Sequence, residues 1–406
     1  MKVTIERLGH LGDGIAEGPV FVPGALPGEV VEGEVSEGRM AAPKIVAPSP
    51  NRRRAPCVHY ASCGGCSLMH AHDPFVADWK AGVIRAALAA QDLDAPITAI
   101  ATSPERSRRR AVLSGRRTKK GAIVGFHGRA SGALVDLGGC ILLHPDLMAC
   151  LPLLRQITDI GTSRKAELSL NVTRTEGGVD LAVTGGKPLD AGLIAALAGL
   201  AEGAGLARLT WDGETVAAHR PAAQRMGAAL VTPPPGAFLQ ATAEGEAALV
   251  AAVRRASGPA KRIVDLFSGA GTFALPLSEA AEVHAVESEA PMLAALDAGW
   301  RHATGLHRVT TEARDLFRRP LLPDELAKFD AAVLDPPRAG AEAQVAEIAQ
   351  SGLKRLAYVS CNPVTFARDA KVLVAAGFRL DWVEVVDQFR WSTHVELAAG
   401  FSRPKR

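Results

Sequence analysis

From Lys261 onward the chain repeats one pattern: short apolar runs, "RIVDLF", "AEVHAVE", "HRVTTE", "FDAAVLD" and "LKRLAYVS", separated by segments of helical periodicity. Runs that are apolar throughout, not on alternate residues, belong to strands buried on both faces. Strands alternating with helices predict a parallel, doubly wound α/β sheet. Such a sheet binds its ligands beyond the carboxyl ends of the strands. Residues that carry chemistry are therefore sought where each run stops.

Upstream the rhythm differs. At 406 residues and roughly 150 residues per domain, two or three domains are expected. Residues 1–50 carry short Val-rich runs punctuated by Gly and Pro, which predicts a small β-barrel. Residues 51–230 read as an α+β central region, in which "DPFVADWKAGVIRAALAAQ" predicts a helix over about 74–92. "TPPPG", Thr232–Gly236, introduces the last block, 231–406. The amino terminus has no apolar leader core, and the run from Ala191 to Leu206 is interrupted by Glu202. A membrane span is excluded and a cytoplasmic location expected, with the chain a monomer.

A net charge of +3 is too small to argue for nucleic acid by itself, so local clusters decide. One is "NRRRAPC", Asn51–Cys57. The other runs from Arg106 to Lys120 without an acidic residue. It reads as two basic strands joined by a turn at Ser114-Gly115, spreading guanidinium groups along a ribbon suited to phosphates.

"CVHYASCGGC" places Cys57, Cys63 and Cys66 in a C-x5-C-x2-C arrangement. Without a secretion signal, ligation is a better reading than disulfides, and the Gly64-Gly65 pair lets the loop fold tightly. Cys140 in "DLGGCILLHP" is the fourth candidate, with Cys150 a weaker rival in an apolar helical context. Spacing leaves zinc and a [4Fe-4S] cluster both open.

Four strand ends carry the chemistry. After the first, Asp265 leads into Ser268-Gly269-Ala270-Gly271 and a helix, where close backbone approach and free N-H groups suit an anion. The second strand ends in Glu287, placed for ribose hydroxyls. These features resemble the S-adenosylmethionine site of class I methyltransferases, which implies Asp315 in "RDLF" near the adenine. Asp335 is followed by two prolines that hold the chain out over the site. The next strand delivers Cys361. Beside a methyl donor, a thiolate that adds to C6 of a pyrimidine makes C5 nucleophilic, and a base must later remove the C5 proton. "STHVELAAGF" reads as a last strand with His394 and Glu396 on one face; Glu396 is the expected base and His394 the alternative.

Together "DLFSGAG", "DPPRAG", "SCNP", "HVE" and the cysteine spacing resemble the RNA uracil-5 methyltransferase family, in its iron-sulfur-containing branch acting on 23S ribosomal RNA. The resemblance spans nearly the whole chain. It implies an OB-like TRAM domain at the amino terminus and a class I methyltransferase (Rossmann-like) domain at the other end. It further implies a [4Fe-4S] cluster on Cys57, Cys63, Cys66 and Cys140, cofactor contacts by Gln240, Glu287 and Asp335, nucleophile Cys361 and base Glu396. Thr242 stands where the family commonly has Asn, so the wall beside the methyl donor is expected to differ. Three rivals are a transfer RNA substrate, a cytosine-5 methyltransferase and a non-catalytic RNA-binding iron-sulfur protein. Arg338, where the cytosine enzymes place a second Cys, disfavours the second. The intact Asp335, Cys361 and Glu396 set disfavours the third.

Overall fold

The computed structural model describes residues 1–403. Its largest sheet has eight strands. In spatial order they are Val309–Ala313, Glu282–Glu287, Arg262–Leu266, Ala331–Leu334, Arg355–Ser360, Leu397–Ser402, Arg379–Asp387 and Ile97–Thr102. The first five run parallel, and Leu397–Ser402 is antiparallel to both of its neighbours. Strand order reverses between Arg262–Leu266 and Ala331–Leu334, and a crevice opens at such a switch point. Two apolar layers cover the faces.

The eighth strand comes from far away in sequence. Ile97–Thr102 pairs in parallel with Arg379–Asp387, and the helix Asp73–Ala89 buries Ala81, Ile84 and Leu88 in one of the two layers. Residues 73–102 are thus built into the carboxyl-terminal sheet.

The remaining sheets are smaller. Residues 2–47 form a five-stranded antiparallel sheet around Ile5, Val22, Val31 and Met40, consistent with an OB-like unit. A seven-stranded mixed sheet spans residues 110–218 and packs on helices Leu151–Gly161 and Ala191–Gly203. The basic ribbon differs from its expected form. Arg110–Thr118 is one strand running straight through Ser114-Gly115, and the turn lies at Lys119-Lys120 before Gly121–His127. Gly115 lies in mid-strand, where a Cβ would come within 2.4 Å of Thr158 Oγ1. Several of the guanidinium groups are also engaged: Arg109 with Glu246, Arg116 with Glu167 and Arg117 with Asp159. No described helix is long and apolar enough to cross a membrane.

Candidate active site and cysteine cavity

A cavity of about 520 Å³ opens at the carboxyl edge of the large sheet. Ser268, Gly269, Glu287, Asp315, Asp335, Cys361, Glu396 and Gln240 all line it, as does His394. Gly269 (φ 53°) and Gly271 (φ 100°) take the left-handed conformations that a tight strand-to-helix turn requires. A Cβ on Gly271 would also come within 2.9 Å of Leu275 and Leu296. Gly271 therefore shapes the turn from behind and does not face the cavity. Phe267 holds a positive φ of 64°, a strained conformation for a bulky residue. Its ring lies 5.4 Å from that of Phe317, forming one aromatic wall.

The acids beneath this turn are arranged for a cation. Glu287 accepts from the amides of Gly269 (3.1 Å), Ser288 (2.6 Å) and Glu289 (3.0 Å), which fixes its carboxylate at the cavity wall. Asp265 is fully buried below the cavity, not on its lining, and neither carboxylate oxygen has a hydrogen-bond partner of ordinary geometry. Burial pushes its pKa up to about 8, with the charge of Glu287 adding and the Ala274 amide opposing. Asp335 is raised well above the usual carboxylate range by burial and by its acidic neighbours Glu396 and Asp265. Ser268 Oγ is likewise buried without a partner. A bound positive charge would relieve these groups.

Cys361 sits just beyond the strand Arg355–Ser360, where Asn362 caps the next helix by accepting from the amide of Val364 (3.1 Å). Its thiol pKa is raised by burial and by Glu396 and Asp335, with Arg338 opposing. Glu396 precedes the last strand instead of lying on it, since that strand begins at Leu397. The residue is buried, and its pKa is pushed up to about 7 by desolvation, while a hydrogen bond from Gln388 opposes. His394, also outside the strand, is exposed, and its pKa is lowered by desolvation and by the charges of Arg338, Lys80 and Arg108. Thr242 is not a cavity wall residue. It caps the helix Ala243–Ser257, accepting from the Gly245 amide (3.0 Å) and bonding Ser103 Oγ (2.7 Å).

Several cavity residues escaped the sequence reading. Phe238 and Phe389 line the mouth, stacked under the guanidinium groups of Arg110 (5.2 Å) and Arg108 (5.8 Å). Gln388, buried behind the lining between Gln240 and Glu396, had no signal, because a Gln at a strand end carries no motif. The loop from Asp387 to Trp391 is clamped from the amino-terminal side. Lys80, itself fully buried, binds Asp387 (2.5 Å) and the Phe389 carbonyl (3.1 Å). Asp73 binds Arg390 (2.8 Å) and the Trp391 indole (3.0 Å).

A second, narrow cavity lies behind that loop. Cys57, Cys63, Cys66 and Cys140 line it with Tyr60 and Phe126, while Cys150 packs in the central core. All are free thiols. Burial raises the Cys63 thiol and pushes Cys66 up to about 12, with the neighbouring cysteines adding to both. Gly64 is required for close approach: a Cβ would stand 2.8 Å from the His127 carbonyl. Among the described residues, no group of three or more His, Cys, Asp or Glu side chains is arranged to hold a metal ion. The four thiols are nonetheless gathered around one space, from loops up to 83 residues apart in sequence (140 − 57).

The sheet order and the cofactor-type turn define a class I methyltransferase. Residues 231–403 match the tRNA (uracil-5-)-methyltransferase family. A Caulobacter vibrioides protein named as an uncharacterized RNA methyltransferase is 45% identical over 99% of both chains. The 23S rRNA (uracil(1939)-C(5))-methyltransferase RlmD of Pseudomonas entomophila is 36% identical, covering 98% of this chain and 93% of that one. Among solved structures, the Pyrococcus abyssi tRNA (uracil-54, C5)-methyltransferase in complex with S-adenosyl-L-homocysteine superposes with a TM-score of 0.77 over 99% of both chains. At 21% identity it shares the fold. The chain belongs to the RNA (uracil-5-)-methyltransferase family and is an S-adenosylmethionine-dependent enzyme of that kind.

Proposed function

We propose that the substrate is 23S ribosomal RNA and that a specific uridine is methylated through a covalent adduct to Cys361. The observation that carries the mechanism is the presence of Cys361 and Glu396 on one cavity with Gly269, Glu287 and Asp335. Full-length similarity to RlmD supports the choice of RNA. The transfer RNA reading has on its side the description of the matching family and a neighbour that shares the fold.

When bound, S-adenosylmethionine supplies an electrophilic methyl group on a sulfonium cation. Asp335 on the cavity wall fits such a cation, with Asp265 buried beneath it, because positive charge nearby favours their ionised forms. Glu287 and Asp315 would hold the ribose and adenine, and Gln240 the methionine end. Cys361, once deprotonated, adds its sulfur to C6, which would make C5 the nucleophile toward that methyl group, with S-adenosylhomocysteine as the leaving group. Glu396 then removes the C5 proton, and the electron pair of the broken C5–H bond re-forms the C5=C6 double bond as the C6–S bond breaks and the Cys361 thiolate leaves. The uridine must leave its stack to reach Cys361. Phe238 and Phe389 offer it aromatic faces, and Arg108 and Arg110, which pair with no carboxylate among the described residues, would hold backbone phosphate.

Cys57, Cys63, Cys66 and Cys140 would hold a [4Fe-4S] cluster, and the residues fit it in donor chemistry: four unpaired thiols on one enclosed space. Its role here is structural, since methyl transfer moves no net electrons. The five-stranded amino-terminal unit would be a TRAM domain.

The test is Glu396→Gln. The variant should attack, methylate and stall, giving a methylated protein–RNA adduct that survives a denaturing gel and disappears when Cys361→Ala is added. Normal turnover by Glu396→Gln would remove Glu396 from this role. Mapping of 5-methyluridine in RNA from cells lacking the gene decides between ribosomal and transfer RNA.

A further inference from the structure

Gln388 is buried behind the lining of the active cavity and joins two of its wall residues, Gln240 and Glu396. Its Oε1 accepts from the backbone amide of Ala241 at 2.6 Å. A backbone N-H can only donate, so this contact fixes which end of the Gln388 amide is which. Nε2 must then face the other way, where its two hydrogens go to Gln240 Oε1 (2.5 Å) and to Glu396 Oε2. Two consequences follow. The Gln240 carbonyl is taken, which leaves its NH2 as the part of that side chain able to donate toward the cavity. One Glu396 oxygen is pinned, which leaves the other to receive a proton.

We propose that Gln388 is a positioning residue that sets the orientation of both the Glu396 carboxylate and the Gln240 amide, using the Ala241 backbone amide as its fixed reference. The proposal rests on the reading of Glu396 as the base. Asp335 and Cys361 face Glu396 from neighbouring strand ends, with Asp265 beneath. Arg338 and His394 stand at the mouth, and the Lys80–Asp387 pair lies next to Gln388 in the chain. Within this setting Gln388 is the group that donates directly to Glu396. A donor to a carboxylate favours its ionised form, so removing it raises the pKa of the base.

The experiment uses the full-length enzyme with an RNA fragment containing the target uridine. It measures adduct resolution against pH for wild type, Gln388→Met, which keeps volume but loses both donors, and Gln388→Glu, which keeps the acceptor for Ala241. Both variants should resolve the adduct about ten- to a hundredfold more slowly at pH 7, with the midpoint of the profile moved up by about one to two pH units and the rate recovering in alkali. S-adenosylhomocysteine affinity should fall several-fold through Gln240. A folded variant with the wild-type midpoint would overturn the proposal. Loss of folding in both variants would do so too, by assigning Gln388 to the core alone. Adduct trapping by Glu396→Gln is independent of these profiles: if it traps while the Gln388 profiles are unmoved, the base reading stands and this one fails.

Discussion

The two cavities on either side of the Asp387–Trp391 loop are built on opposite plans. The catalytic cavity is wide and gathers acids and a thiol at consecutive strand ends, so its electrostatics are left incomplete until charged ligands arrive. The cysteine cavity is narrow, has an apolar lining and is assembled from loops. Polar groups held without partners are costly and persist where binding compensates them. Thiols in an apolar pocket cost little as neutral groups and become useful only when ligated. On the proposed function, one cavity would react and the other would hold.

This contrast can be broken at several points. The largest effect is expected from Cys361→Ala, which should lower methylation by at least about a thousandfold while cofactor binding persists, because the Gly269 turn and Glu287 are untouched. Calorimetric titration with S-adenosylhomocysteine beside a radiolabelled methyl assay measures both. Lys80→Met should follow. It leaves Asp387 buried without its partner, costing about 3–5 kcal/mol by chemical denaturation, and Asp387→Asn in the same chain should restore part of it.

The pH dependence sharpens the description of the reacting cavity. Glu396 acts as a base only when ionised, and its folded pKa of about 7 lies above the usual 4.5. Adduct resolution should therefore rise with pH, by about tenfold between pH 6 and 8. The same shift works against folding: stability from this group is full below pH 4.5 and is lost as pH climbs through 7. Rapid-quench measurements and denaturant melts across that window should move in opposite directions.

Cys66→Ser tests the holding cavity. Anaerobically purified enzyme should lose iron and its charge-transfer absorption and melt at a lower temperature. Methylation should fall by less than about tenfold, far short of the Cys361 effect. Equal losses for the two cysteines would erase the distinction. The smallest effect is reserved for Arg116→Ala and Arg117→Ala, whose guanidinium groups are partly exposed and already paired. Stability should change by no more than about 1 kcal/mol and RNA affinity by less than about twofold. Filter binding at several salt concentrations would show whether Arg108 and Arg110 set the salt slope instead.

The carboxyl-terminal strands and the positions of Glu287, Asp335 and Cys361 were legible because a parallel sheet writes each strand as an apolar run and its active edge as whatever follows. Periodicity could not show that Ile97–Thr102 completes this sheet, since "ITAIAT" names no partner and its mate begins at Arg379. The break expected at Ser114-Gly115 rested on Gly as a turn former, whereas both residues pair with strands on either side and the missing side chain leaves room for Thr158. Glu396 was singled out through chemistry and lines the cavity, although the strand it was assigned to starts one residue later. Gln388 and the Lys80 clamp are tertiary facts: neither exists until distant segments meet.

The Lys80–Asp387 contact closes over 307 residues. During translation the helix Asp73–Ala89 and the strand Ile97–Thr102 emerge early and must wait, with apolar surface uncovered, until the far end of the chain leaves the ribosome. On the proposed mechanism, methyl-transfer competence comes only after Asp387 and Glu396 have been made. A truncated product would carry the cofactor turn without the seated Glu396, and stalled synthesis would yield a polypeptide unable to modify RNA.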